Sequence, residues 1–283
     1  MPFLLRVDWG SWDIPGPVTL AFAFTALLYL RGWLLLRRRD PPNAITGSQV
    51  GGFLLGLVLI WIASASPVAS CHEASLTRHM LQHLLLQTLA PPLILLGAPV
   101  MAVWRGTPRH VAHAIIDPLS RWPPARRLEK TLARPAFCWI AATATLVGWH
   151  IPALHTLALQ SPAWHELQHA TFLVTGVLFW WPVIRPWPSA PTGPQWSTVL
   201  YLFLATLPCD ILSGFLVFSE RIAYPVYLSS SRSPVSVMED QMSAGALMWT
   251  VVTIVYLVAG TILSARLLEP HSSKGEPQVL EVA

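Results

Sequence analysis

Charge is the first thing this sequence lacks. Only 11% of its 283 residues are Asp, Glu, Lys or Arg, against about 25% in a soluble globular domain. Too few charges remain to cover a water-soluble surface, which argues against an ordinary cytosolic enzyme. Cysteine is scarce too. Cys71, Cys138 and Cys209 are far apart, with no C-x-x-C, so neither a disulfide framework nor a zinc-ribbon pattern is present. The order of charges is wrong for a cleaved signal peptide, since Asp8 and Asp13 precede the first apolar stretch and Arg37, Arg38 and Arg39 follow it. What the chain has in quantity is apolar surface: 53% of residues, with a mean hydropathy of +0.51. At about 20 apolar residues per bilayer crossing, the length accommodates roughly seven spans and leaves no second soluble domain.

Seven apolar stretches are visible, at 18–36, 50–66, 79–104, 136–150, 165–184, 196–218 and 241–265. The pattern predicts an all-α, polytopic seven-transmembrane-helix bundle in one membrane domain, residues 1–269, followed by a short polar, disordered tail over 270–283. Pro91-Pro92 removes two backbone donors from the third span and is expected to kink it. The second and fourth spans are short and can extend into Pro67–Val68 and Ile151–Leu154. Basic residues set the orientation, because Lys and Arg are retained on the cytoplasmic side. One set of connections holds thirteen of them, seven within 105–135, and the alternate set holds four: Arg6, Arg78, Arg221 and Arg232. The N-terminus is therefore expected outside and the C-terminus in the cytoplasm. The net charge of +4 and the pI near 9.3 reflect mainly the 105–135 loop, read as contacting anionic lipid headgroups rather than nucleic acid.

Against that topology the ten histidines divide unevenly. His110, His113 and His271 fall inside, whereas His72, His79, His83, His150, His155, His165 and His169 fall in outer loops or at the outer ends of spans three, four and five. The positive-inside bias does not act on neutral imidazoles, and coordinating groups at membrane depth are a functional candidate by default. Two of the spans open with the same unit, H-x-L-Q-H: His79–His83 and His165–His169. A four-residue separation places both imidazoles of a pair on one helix face, about 6 Å apart along the axis. Facing pairs, with His150 above span four, would gather five imidazoles at one end of the bundle. His72 or His155 alone reads as an interfacial residue bonded to headgroups or backbone. Met238 and Met242, four apart at the start of span seven, and Cys71 are weaker soft-metal candidates, because methionine in an apolar span more often packs. Asp210, deep in span six, is expected to face the bundle interior, protonated or paired with a histidine; Cys209 beside it reads as a small apolar filler.

Three functions compete for such a cluster. The first is copper binding at the outer face, with delivery of the ion. The second is a haem-binding membrane cytochrome or haem carrier, disfavoured because two histidines one turn apart on a helix cannot take opposite faces of one haem. The third is an intramembrane zinc protease, since His165-Glu166-Leu167-Gln168-His169 matches H-E-x-x-H literally. The parallel unit has Met80 where that glutamate stands, so the recurring feature is the histidine pair rather than the base.

Taken in order, several motifs resemble the membrane-bound cytochrome c oxidase assembly factors of the CtaG type. They are His79–His83 followed by Ala90–Pro99, Trp149-His150-x-Pro152, His165–His169 followed by Phe179-Trp180-Trp181-Pro182, and Asp240-Gln241-x-x-Ala244-Gly245 leading to Met248-Trp249. The resemblance covers the chain from span two to span seven; loop 105–135 and the stretches 186–194 and 229–236 depart from it. It implies a bacterial cytoplasmic (inner) membrane protein needed to mature a haem–copper terminal oxidase, with no catalysed reaction of its own. Formation of the oxidase's copper-containing centre is the step it points to. The outer histidine cluster is then expected to act as a metallochaperone site, holding copper, which a periplasmic donor can supply, for the oxidase subunit that carries that centre. The residues it singles out as metal ligands are His79, His83, His150, His165, His169 and Asp240.

Overall fold

The computed structural model describes residues 16–39, 45–65, 75–108, 110, 114, 134–184, 195–229 and 234–268. Among them there are helices and no strands. In chain order the helices are α1 (Gly16–Arg39), α2 (Gly47–Ala65), α3 (Leu76–Leu84), a π-helical turn (Leu85–Leu89), α4 (Ala90–Leu96) and α5 (Pro99–Gly106). They continue with α6 (Pro135–Trp149), α7 (Pro152–Gln160), α8 (Pro162–Ile184), α9 (Gln195–Phe218), a 3-10 turn (Pro225–Ser229) and α10 (Pro234–Leu268). Five of these are long and apolar enough to cross a membrane by themselves, and the number rises to seven if each of two bent pairs counts as one span. The outer faces fit a hydrocarbon solvent. Leu20, Leu27, Ile211 and Leu257 stand 71%, 66%, 74% and 67% exposed, on a scale that a water-soluble monomer does not sustain.

Span three differs from the sequence expectation. The sharp bend, 63°, does not fall at Pro91-Pro92 but between α4 and α5, where Ala98 adopts a left-handed backbone at φ 46°. The two prolines instead sit in the first turn of α4, and the π turn just before them accommodates the missing backbone donors. The carbonyls freed at the bend find partners on neighbouring helices. Tyr29 donates to the Gly97 carbonyl (2.7 Å) and the Gln49 amide to the Leu96 carbonyl (3.1 Å). Irregular backbone is tolerated at membrane depth only on such terms.

Span four differs as well. It does not run on into Ile151–Leu154: α6 stops at Trp149, and α7 leaves at 75° across the end of the bundle. The turn is closed by backbone bonds from His150 to Val147 and from Ile151 to Gly148, with Pro152 opening the next helix. The other predicted spans agree with the helices to within a few residues, although α10 begins earlier than expected. At 35 residues it is about 52 Å long, longer than a bilayer core of about 30 Å, so its first turns reach beyond the hydrocarbon. The 105–135 connection lies almost wholly outside the described residues, as do the tail after Leu268 and the stretches 186–194 and 230–233.

Close approach between α8 and the π turn sets the separation of the two histidine-bearing helices. A Cβ on Gly176 would stand 2.8 Å from the Gln87 carbonyl oxygen and 2.9 Å from its Cα. Both are backbone atoms that cannot swing aside. Gly176→Val should therefore force α8 outward and destabilise the fold by about 1–3 kcal/mol, read as a lowered unfolding midpoint in detergent; an unchanged midpoint would show that the two elements are not in contact.

Candidate metal centre

Six imidazoles meet at one end of the bundle. Within each H-x-L-Q-H unit the rings lie side by side, with centroids 4.3 Å apart for His79 and His83 and 4.1 Å for His165 and His169. Between units, His79 is 5.8 Å from His165 and His83 is 6.0 Å from His169. His150 closes one side, 6.2 Å from His83. The five histidines singled out from the sequence are thus brought together. The sixth, His155, overturns its reading as an interfacial residue: it is fully buried and its ring lies 4.7 Å from that of His79. Its place follows from the turn at His150, which folds α7 back over the cluster. His110 is exposed, and His72, His113, His271 and Cys71 fall outside the described residues.

The His150 and His155 rings are positioned by identifiable contacts. The His150 Nδ1 lies 2.7 Å from the Leu146 carbonyl oxygen, Tyr224 donates to the His150 carbonyl (2.9 Å), and the Trp149 indole donates to Thr171 on α8 (2.9 Å). The His155 Nε2 is 3.1 Å from the Tyr227 hydroxyl, and the Tyr224 ring lies 4.4 Å from that of His155. Burial, the Asp240 carboxylate and the Tyr224 phenol push the Tyr227 phenol upward, so it stays a neutral hydroxyl beside the imidazole. Nothing in the sequence marked Tyr224 or Tyr227. The only available signal was an aromatic pair in a loop on the histidine side.

Asp240 has a different post. Its carboxylate accepts from the Ser75 hydroxyl (2.8 Å), the Leu76 amide (2.8 Å), the Thr77 amide (3.4 Å) and the Thr77 hydroxyl (2.7 Å). The two amides are orphan backbone donors at the start of α3, and the hydroxyls flank them, so Asp240 caps that helix from α10. The cap fixes the rotation of α3, and thereby the aim of His79 and His83. Next to it, Gln241 donates to the Arg221 carbonyl (3.2 Å) and accepts from the Ala223 amide (2.8 Å), tying down the loop that carries both tyrosines.

The other candidates sort plainly. Glu166 is exposed on α8 while Met80, at the matching place in α3, is fully buried; the would-be protease base does not look into the cluster. Met242 is 44% exposed, and Met238 lies 4.0 Å from the Gln241 amide. Cys209 is buried in an apolar cluster with Leu84, Leu216 and Met248, in keeping with a filler. Asp210 is half-buried, and its Oδ1 is enclosed without a hydrogen-bond partner among the described residues. A cavity opens below the imidazoles, toward the middle of the bundle, bounded in part by Met80, His83, His150, Cys209, Met248 and Tyr256. Among the described residues, no group of three or more His, Cys, Asp or Glu side chains is arranged so that, as it stands, it could hold a metal ion. The imidazoles pack ring against ring, and both nitrogens of buried His83 have no hydrogen-bond partner there. Enclosed ring nitrogens without partners are costly and are the form of imidazole that takes a metal.

Fold and site together define a polytopic helical membrane protein with an imidazole cluster enclosed at one end of its bundle. A family model described as cytochrome c oxidase caa3 assembly factor (Caa3_CtaG) matches residues 27–269, and the chain belongs to that family of oxidase assembly factors. Similar curated proteins include uncharacterized proteins of Mycobacterium bovis and Mycobacterium tuberculosis, each 25% identical over 277 residues, covering 88% of this chain and 41% of theirs. Another, an uncharacterized protein of Mycobacterium leprae, is 24% identical over 247 residues, covering 84% of this chain and 36% of its own. The chain thus spans about two-fifths of the length of the curated relatives it matches. No solved structure matches it.

Asp240→Asn tests the cap. It places an amide NH₂ against backbone donors, which should cost about 1–3 kcal/mol and lower the unfolding midpoint while leaving the amount of bound metal unchanged. Loss of metal at unchanged stability would make Asp240 a ligand instead.

Proposed function

We propose that this chain holds copper in its histidine cluster and passes it to the copper centre of a haem–copper cytochrome c oxidase during assembly. Copper is the cargo here, and the reading includes no catalysed reaction. The observation that carries it is the meeting of six imidazoles from α3, the turn after α6, α7 and α8 in one enclosed group. Membership of an oxidase assembly family supplies the acceptor, a membrane-embedded subunit in the same bilayer.

The packing suits a carrier better than a permanent holder. An ion entering must turn imidazoles from ring-on-ring contact into coordination, and one leaving lets them relax back. Delivery proceeds only as far as the difference in affinity between donor and acceptor allows, so moderate, exchangeable binding is the useful kind. Haem is the less suitable cargo. The imidazoles lie edge-to-face or tilted against each other at 4.1–6.2 Å, leaving no flat slot for a macrocycle. By the positive-inside count, the cluster faces the periplasmic side of a bacterial inner membrane, where a soluble copper donor can reach it.

The double variant His83→Ala/His169→Ala should fold, lose most of its bound copper and fail to support oxidase maturation, as read by metal analysis of the detergent-purified protein and by oxidase activity in its membranes. Unaltered copper content and maturation would overturn the proposal, and so would a Soret band in the purified parent. A single cysteine at exposed Trp164, at the cluster end of α8, should react with an impermeant maleimide added to intact cells; protection there with labelling only after lysis would reverse the orientation.

A further inference from the structure

The contact between Met80 and His150 is not explained by packing alone. Met80 is fully buried and His150 is 5% exposed, and the Met80 Sδ lies 3.2 Å from the His150 Nε2. A carbonyl oxygen only accepts, so the 2.7 Å contact of His150 Nδ1 with the Leu146 carbonyl places the ring proton on Nδ1. In a neutral imidazole Nε2 then carries a lone pair. A thioether sulfur has no hydrogen to offer it. Two lone-pair donors therefore face each other in an enclosed site, an arrangement that becomes favourable when a cation lies between them.

A third donor stands beside this pair. His83 is one turn from Met80 on the same helix, its ring lies 6.2 Å from that of His150, and neither of its buried nitrogens has a hydrogen-bond partner among the described residues. Met80, His83 and His150 all border the cavity that leads from the cluster toward the middle of the bundle. Two imidazoles and a thioether form a soft, low-charge donor set, which selects Cu(I) over Zn(II) and other harder ions. The unbranched Met80 side chain can also rotate to admit an ion without disturbing the helix that bears it.

We propose that Met80, His83 and His150 form a Cu(I) site at the inner edge of the histidine cluster, with Met80 as the ligand that sets the metal's identity and oxidation state. This rests on the copper-carrier reading and makes it more specific. The remaining imidazoles, His79, His155, His165 and His169, then form an outer, all-nitrogen zone through which the ion enters, and the thioether holds it nearest the cavity. The literal H-E-x-x-H of α8 acquires a rationale by contrast. At the matching place, α3 carries a sulfur that faces the site, whereas α8 carries a glutamate that faces away from it.

The test uses the full chain in detergent, loaded with Cu(I) under reducing conditions. X-ray absorption at the copper edge should show one sulfur among nitrogen neighbours. Competition with a Cu(I)-specific chromophoric chelator should show Met80→Leu weakened by about tenfold or more and stripped of the sulfur signal, with Zn(II) binding little changed. Leucine conserves the volume of methionine, so the fold should survive, and Met80→Cys should restore a sulfur neighbour. Met242→Leu, at an exposed thioether, should bind as the parent does. A parent that binds Cu(I) through nitrogen alone, with Met80→Leu equal to it in affinity, would overturn this site while leaving the copper-carrier reading in place. A well-folded parent that binds no copper would overturn both.

Discussion

The arrangement of the site depends first on one buried carboxylate. Asp240 is only 8% exposed, and a charge so enclosed is tolerated only if its lone pairs are used. They are, by the Ser75 and Thr77 hydroxyls and the Leu76 and Thr77 amides. Because those donors belong to the first turn of α3, the interaction fixes both where that helix starts and how it is rotated about its axis. A rotation by one residue would turn His79 and His83 about 100° away from α8. The aim of the pair is thus held by a residue more than 150 positions later in the chain.

A second constraint sets the distance across the site. Gly176 lets α8 lie against the backbone of Gln87, in the one segment of span three wound as a π turn. The π turn and the two prolines after it belong together. Prolines at the head of α4 leave upstream carbonyls without their usual partners, and a wider turn accommodates the loss more easily than a continuous α-helix would. A feature that reads in the sequence as a kink is, in the folded chain, the reason that α3 and α8 approach closely where their histidines are.

What the sequence discloses about this molecule follows from periodicity and spacing. Apolar runs locate the spans, and the i, i+4 pairing of His79 with His83 and of His165 with His169 is a property of any helix. Three things needed tertiary structure. The bend at Ala98 depends on Tyr29 and Gln49 from other helices to satisfy the freed carbonyls, so no local signal placed it there. The inclusion of His155 depends on α7 folding across the bundle end; with Pro152 between it and His150, no helical spacing joined the two. Asp240 caps α3 at the histidine end of the bundle, and residue type alone does not tell a capping carboxylate from the ligating one the motif resemblance implies. Only the four donors around it make the distinction.

The site also changes in character from the end of the bundle toward its middle, which on the proposed copper-carrier reading bears on how the cargo would be released. Its outer part is made of imidazoles, bordered by the hydroxyls of Tyr224 and Tyr227; its inner part adjoins a cavity edged by Met80, Cys209 and Met248. Imidazole accepts several ions in either oxidation state, whereas a thioether favours the reduced, soft one. On that reading, an ion moving inward would pass from less selective to more selective donors while the surrounding dielectric falls. Falling dielectric penalises net charge steeply, and a monovalent ion held by neutral ligands is the least costly metal cargo to take that way. An acceptor buried in the same bilayer can then compete for it at matching depth, without the ion first returning to water. On the proposed reading, enclosure, neutrality and softness of the donors are three expressions of that one requirement.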